Sequence, residues 1–341
     1  MNPLPHPLPL RTAGGALGLR RLVVPTSVGE VVVRAGRESG GPATILLHGA
    51  AGSWTTWTPV IAASDLSGSP LTDVIALDLP GWGESGGFER VRSVEDLSDA
   101  VAEVARALGY STWRIVGHSL GGFVALDIAA RHPESTLGVT LVSATGTGVL
   151  AAIRRPVRAG LTLPWFAGML LTMRTLALLD RASRRQPRAL RSAGTALVRL
   201  LGRLGWLGAL SSPLFAGAVH PSVSAAFADE VRPSAFACAA RLAVEYEERT
   251  WTGIRCAVRS VRGSRDVFAG EADAAAFVSL IPDFSEVRLA DAGHFANVER
   301  PDAVFAAIAA TSVARVPETR RARAGRAAAA SFAEWRLTSA A

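Results

Sequence analysis

Lysine is absent from this 341-residue chain, so all 36 of its basic side chains are arginine. The formal net charge of +7 favours acidic surfaces but is too small to argue for nucleic-acid binding, and no nucleic-acid recognition motif is present. Cysteine is scarce. Cys238 and Cys256 are the only two. They have neither metal-ligand spacing nor a partner cluster, so they read as free buried thiols, and a cytoplasmic setting is expected. Long hydrophobic runs are missing as well. The longest, Ala159–Met173, is broken by Pro164 and is shorter than the ~20 residues of a membrane span. The N-terminus, MNPLPHPLPL, lacks a basic segment followed by an uninterrupted apolar run, which speaks against a secretory signal.

Apolar surface is plentiful. Hydrophobic residues make up 49% of the chain and charged ones 19%, enough to support a packed core. The length suits one large α/β domain carrying an insertion, or two modest domains. Four short apolar runs end in Gly, Ser or a turn: ATILLHG (43–49), VIALDLPG (74–81), WRIVGHS (113–119) and GVTLVSAT (138–145). Such runs suit strands buried on both faces of a parallel sheet. Between the second and third lies a helix. Ser93 and Asp96 form a capping box, Leu97, Val101, Val104 and Leu108 share a face, and Gly109 stops it. The alternation implies a doubly wound, mostly parallel α/β sheet.

The alternation stops near Thr147. From there to about Thr250 the chain reads as helices punctuated by prolines, before strands return in IRCAVRSVRG (254–263) and SEVRLADAGH (285–294). Pro301 suits the first position of a final helix. The expected organisation is a leader over 1–21, a core over 22–146 and 252–316, an all-helical insertion over 147–251, and an Arg/Ala-rich tail over 317–341.

One motif carries chemistry. In IVGHSLGGF, Ser119 lies in a Gly-x-Ser-x-Gly pattern that follows an apolar strand and opens a helix. That is the setting of a nucleophile elbow, whose tight turn demands nearly side-chain-free positions two before and two after the serine. Gly117 and Gly121 supply them. The alternative is a tight turn that merely contains serine. A serine hydroxyl needs a base, and the base an orienting acid. Of the six histidines, His6, His132 and His220 read as structural or solvated. His48 reads as a loop brace, and His118 is too close along the chain to serve its neighbour. His294, between the last strand and the last helix, is left as the base. Asp266 follows a strand and a glycine turn and is favoured as orienter over Asp291, three residues before the histidine, and Asp283, at the other sheet edge. The Leu120 amide and one from HGAAGS, Ala50 before Ala51, are the expected oxyanion donors.

The segments LHGAAGSWTTW, ALDLPGWGES, VGHSLGGFVAL, VRGSRDVF and DAGHFANVERP resemble, in order and interval, those of the α/β-hydrolase superfamily with a helical cap. The resemblance covers about 22–146 and 252–316. It implies Ser119 as nucleophile, His294 as base then acid, Asp266 as orienter, and no metal or organic cofactor. It implies the 147–251 helices as the part that shapes the substrate pocket. A carboxylic ester or lactone with a hydrophobic moiety is the expected substrate. C–C hydrolysis of ring-cleavage products, or cofactor-free perhydrolysis, is the alternative, and a ligand-binding protein on the same fold a third.

Within the insertion, Trp165, Phe166 and Met169 are candidates for the pocket, as are Trp54 and Trp57 beside the oxyanion loop. Between Thr147 and Leu210 there are eleven arginines and one acid, Asp180. Arg188, Arg191, Arg199 and Arg203 share one helix face, opposite Leu190, Leu197, Leu201 and Leu204. They form either a solvated face or one meeting anionic lipid or an acidic partner.

Overall fold

Strands β3 (Ala43–Leu47) and β4 (Val74–Leu77) are buried at every position, because helices cover both faces of the sheet they belong to. The computed structural model describes residues 7–86, 88–155, 212–230 and 232–313, with 168, 171–175 and 177–178. Its sheet has eight strands in the order β1-β2-β4-β3-β5-β6-β7-β8. The remaining strands are β1 (Leu19–Thr26), β2 (Gly29–Gly36), β5 (Trp113–His118), β6 (Thr136–Val142), β7 (Ala257–Gly263) and β8 (Phe284–Leu289). All neighbours are parallel except β2, which is antiparallel to both β1 and β4.

Alternate strand residues face two cores. Ile45, Leu47, Ile75, Leu77 and Ile115 pack with helices α2 (Val94–Ala107) and α3 (Leu120–Arg131). Leu46, Val74, Ala76 and Val116 pack with α1 (Thr58–Leu66) and, toward the C-terminus, the helix opened by Pro301. In α2 the Ser93 hydroxyl accepts from the Asp96 amide at 3.2 Å, but Asp96 reaches back to the Arg92 amide rather than closing the box on Ser93. The four predicted core positions of this helix are buried.

Between β6 and β7 the described elements are helical: α4 (Thr147–Arg154), a 3-10 turn (Ser212–Leu214), α5 (Pro221–Glu230), α6 (Pro233–Glu245) and a second 3-10 turn (Glu248–Gly253). After β7 come α7 (Glu271–Leu280), β8, the short α8 (Ala296–Glu299) and α9 (Pro301–Val313). The stretch expected as a leader is instead built into the fold from Leu10 onward. Leu10, Leu17 and Leu19 are buried, and the Leu10 amide donates to Ser222 of α5 at 2.9 Å. The short β1–β2 hairpin, which this stretch opens, has no clean alternation in burial that would have marked it. Trp165, Phe166, Met169, the Arg188–Arg203 face and the tail lie outside the described residues.

Candidate active site

The turn after β5 gives Ser119 a φ of +51°, in a region where a side chain costs of order 1–3 kcal/mol. Backbone hydrogen bonds hold it there. Its amide donates to Val142 at 3.0 Å, and its carbonyl accepts from Gly122 at 3.0 Å and Thr145 at 3.3 Å. The flanking glycines are required by contact rather than by dihedral. A Cβ on Gly117 would run into the Gly121 carbonyl, and one on Gly121 into that of Leu47. The hydroxyl therefore stands at the carboxyl end of the sheet, with the N-terminus of α3 behind it.

Two loops bring its partners. Asp266 follows β7 and His294 follows β8, so parallel strands deliver all three groups to one rim. His294 Nε2 lies 3.0 Å from Ser119 Oγ, and its Nδ1 lies 3.0 Å from Asp266 Oδ1. Burial raises the Asp266 pKa, but the charge and hydrogen bond of His294 and the amides of Phe268 and Ala269 outweigh it and hold the carboxylate below its ordinary value. An ionised Asp266 sets the His294 proton on Nδ1 and leaves the Nε2 lone pair toward the hydroxyl. Serine, imidazole and carboxylate thus form a continuous hydrogen-bonded chain in which the imidazole is the group placed to take the serine proton. The rivals are committed elsewhere: Asp291 pairs with Arg300 and Asp283 with Arg259.

His6 lies outside the described residues, and the other four histidines are engaged elsewhere. His48 is fully buried, bonded through Nδ1 to the Gly49 carbonyl at 2.7 Å and accepting at Nε2 from the Leu79 amide at 3.0 Å. It braces the loop that carries Ala50. His118 donates from Nε2 to the His294 carbonyl at 2.9 Å. Burial, then the neighbouring His294, depresses its pKa to about 3, so it stays uncharged beside the reacting imidazole. His132 stands edge-on to Trp113, and His220 bonds Ser222.

Ala50 and Leu120 both border a cavity of about 780 Å³, open mouth included, that reaches Ser119 and His294. Neither amide is engaged in a hydrogen bond among the described residues, so both remain free to bind an oxygen. The two tryptophans require a correction. Trp54 and Trp57 do not line this cavity; they lie on a 3-10 turn, 3% and 0% exposed, in the core between the sheet and α1. The walls come instead from Phe123 and from residues of α4 and α6, with Leu214 and Phe268 near His294.

Three carboxylates missed in the sequence join the insertion to the core around this cavity. Glu299 accepts from the amides of Gly293 (2.7 Å), Ala216 (2.6 Å) and Gly217 (3.2 Å), stapling the insertion's return to the histidine loop. Asp273 accepts from Gly148 at 2.6 Å and Gly270 at 2.9 Å, so it caps both α4 and its own helix α7. Glu230 of α5 accepts from Thr55 at 2.7 Å. Burial raises the pKa of each. The only sequence signal among them was Glu299 within DAGHFANVERP, whose partners are distant in the chain. Among the described residues no cluster of three or more His, Cys, Asp or Glu could hold a metal ion, and no helix is long and apolar enough to cross a membrane.

Residues 44–307 match the model of the alpha/beta hydrolase family. The chain belongs to that family. It is 35% identical over 125 residues to the dihydrolipoyllysine-residue acetyltransferase component of an acetoin cleaving system from Cupriavidus necator, covering 36% of this chain and 32% of that protein. It is 34% identical over 111 residues, 32% of this chain and 38% of that one, to a 2-hydroxy-6-oxononadienedioate/2-hydroxy-6-oxononatrienedioate hydrolase from Burkholderia vietnamiensis. The chain thus spans well under half the length of these curated relatives. The structure of an enol-lactonase from Burkholderia xenovorans superposes with a TM-score of 0.58 at 19% identity, over 85% of this chain and 99% of that one, a likeness of fold alone.

Proposed function

We propose that this alpha/beta hydrolase is a serine hydrolase acting on a carboxylic ester or lactone of a hydrophobic small molecule. The observation that carries this reading is the Asp266–His294–Ser119 chain of 3.0 Å contacts ending in an apolar cavity. Ser119 Oγ attacks the acyl carbon while its proton passes to His294 Nε2. The amides of Ala50 and Leu120 hold the oxyanion, stabilisation that grows as charge develops. When the intermediate collapses, the imidazolium gives its proton to the departing alcohol oxygen, leaving an acyl-Ser119. Water, deprotonated by His294, then releases the acid and restores the hydroxyl. Asp266 orients the ring and stabilises its charged form, and neutral His118 adds no repulsion.

A second reading, C–C bond hydrolysis of a ring-cleavage product, draws on the relative named as an oxononadienedioate hydrolase. Against it, among the described residues no arginine lines the cavity to receive a dicarboxylate. The partner under either reading is a small molecule. The test is labelling by a fluorophosphonate together with turnover of an ester panel and a dienone acid. Labelling and ester turnover are expected in the wild type and absent in Ser119→Ala. A wild type that resists the label would reject the nucleophile, and preference for the dienone would reject ester hydrolysis.

A further inference from the structure

Most of the cavity wall divides into two groups of side chains that belong to different packing clusters, with Phe268 packed against both. Phe123, Val149, Leu150, Ile153, Ala239 and Ala243 belong to the core shared by α3, α4 and α6. Leu214 and Phe295 belong to a separate cluster with α5. The second group surrounds the base. Phe268 stands edge-on to His294 with ring centroids 4.5 Å apart, and the His294 amide donates to the Leu214 carbonyl at 2.8 Å. The serine lies where the two groups meet.

The ends of the first group are also defined. Arg154, closing α4, donates to the carbonyls of Val244 and Tyr246, where α6 ends, so the two helices converge at their C-termini. Behind Phe123 stand Tyr246 and Trp251, with ring centroids at 4.6 and 5.8 Å, and Tyr246 is held by Asp127 at 2.8 Å. Among the described residues these rings stand behind that end of the cavity. From Phe236 to Ala243, the α6 wall is roughly 10 Å long at the rise of an α-helix. Along this wall the lining residues after Phe236 are alanines, which leave room where a larger side chain would meet α4.

Chemistry decides which part of an ester occupies each lobe. The group that gives its proton to the leaving alcohol is His294, so the alcohol must stand on the His294 side. The acyl group must then point the other way. Building on the ester-hydrolase reading, we propose that the cleft between α4 and α6 is a closed acyl-chain channel for a neutral, unbranched, medium-length acid. Leu214, Phe268 and Phe295 frame the alcohol site. Ala243 and Ile153, at the closed end, determine how long a chain is accepted. Among the described residues no charged side chain lines the channel to compensate the desolvation of a charged acyl group, which favours a neutral chain.

The experiment measures kcat/KM for butyrate, octanoate and hexadecanoate esters of one alcohol, and for esters of one acid with a small and a bulky alcohol. Ala243→Phe fills the closed end. The octanoate-to-butyrate ratio is expected to fall by about tenfold or more, the scale of discrimination one or two methylene contacts provide. Ile153→Ala opens the same end, so the hexadecanoate-to-octanoate ratio is expected to rise. The ratio between the two alcohols should move less than about twofold in either variant. Unchanged acyl ratios, or a shift in the alcohol ratio instead, overturn the assignment. If Ala243→Phe fails to fold, Ile153→Ala carries the same decision with the opposite sign. Inactivation by alkyl fluorophosphonates of increasing chain length gives a readout that needs only a nucleophilic Ser119. Chain-length dependence without ester turnover would reject the ester reading and keep the channel. Labelling without chain-length dependence would reject the channel and keep the nucleophile.

Discussion

At the rim of the sheet, Ser119, Asp266 and His294 are held by backbone: an amide to Val142, amides to a carboxylate, a carbonyl to His118. Beside it, the cavity walls on α4 and α6 are held by side-chain volume, with the Asp273 carboxylate reaching across to α4. The rim tolerates almost no change in geometry, because proton transfer needs hydrogen-bond distances. The walls need only keep a shape. Chemistry and specificity therefore rest on different kinds of interaction, and substitutions should separate them.

The largest effect is expected at the rim. Asp266→Asn keeps the shape but lets the wrong histidine tautomer form, and kcat should fall by about 10⁴-fold with little change in the melting temperature. A loss under tenfold would mean the buried carboxylate does not orient the base. Next comes the junction. Glu299→Gln puts an NH2 group where a carboxylate oxygen accepts an amide, loosening the His294 loop from Ala216. Turnover should drop about ten- to a hundredfold, with a smaller change in KM, because a displaced base costs rate more than binding. If KM alone moved, Glu299 would serve the wall rather than the rim.

A smaller effect is expected behind both regions. Trp57→Phe removes volume from a fully buried site, and also removes an indole N–H that has no hydrogen-bond partner among the described residues. Unfolding in urea should show a loss of about 1–3 kcal/mol, with acyl-length preference unchanged, since Trp57 lies in the core and not on the wall. The smallest effect concerns Glu230, whose carboxyl lies near Asp78 and Arg232 and accepts from Thr55. Burial raises its folded pKa, so the folded protein holds this proton more tightly than the unfolded chain. Its contribution to stability therefore diminishes as pH rises from the ordinary carboxylate value through the raised one. Glu230→Gln lacks that dependence. Relative to wild type it should compare better at about pH 8 than at about pH 5, read from urea midpoints at the two values. The opposite trend would mean that ionised Glu230 is the stabilising form.

Much of the rim was legible in the chain because strong local constraints left marks there. Gly117 and Gly121 are needed by backbone contact, and Ser119 by chemistry, within five consecutive residues. Asp266 and His294 each follow an apolar strand, and a parallel sheet sends every such end to one edge. The walls left no comparable trace. Trp54 and Trp57 sit beside the oxyanion loop in sequence, yet the turn rotates both into the α1 core, and an aromatic reads alike in core and pocket. Leu10 was hidden by a proline-rich start whose burial depends on α5, and the β1–β2 hairpin by its lack of clean alternation. Glu299 stood in a quoted motif, but the amides it accepts from belong to residues 216, 217 and 293.

The amino-acid sequence by itself determined the strand–turn–helix at Ser119, the parallel α/β order, and which aspartate and histidine could partner the serine. Each depends on residue type and periodicity within a short stretch. Only the tertiary structure decided that the tryptophans are core, that α4 and α6 wall the cavity, and that three carboxylates bind the insertion to the core. Those outcomes depend on which distant side chains compete for the same space and the same amides, and such competition exists only once the chain is folded.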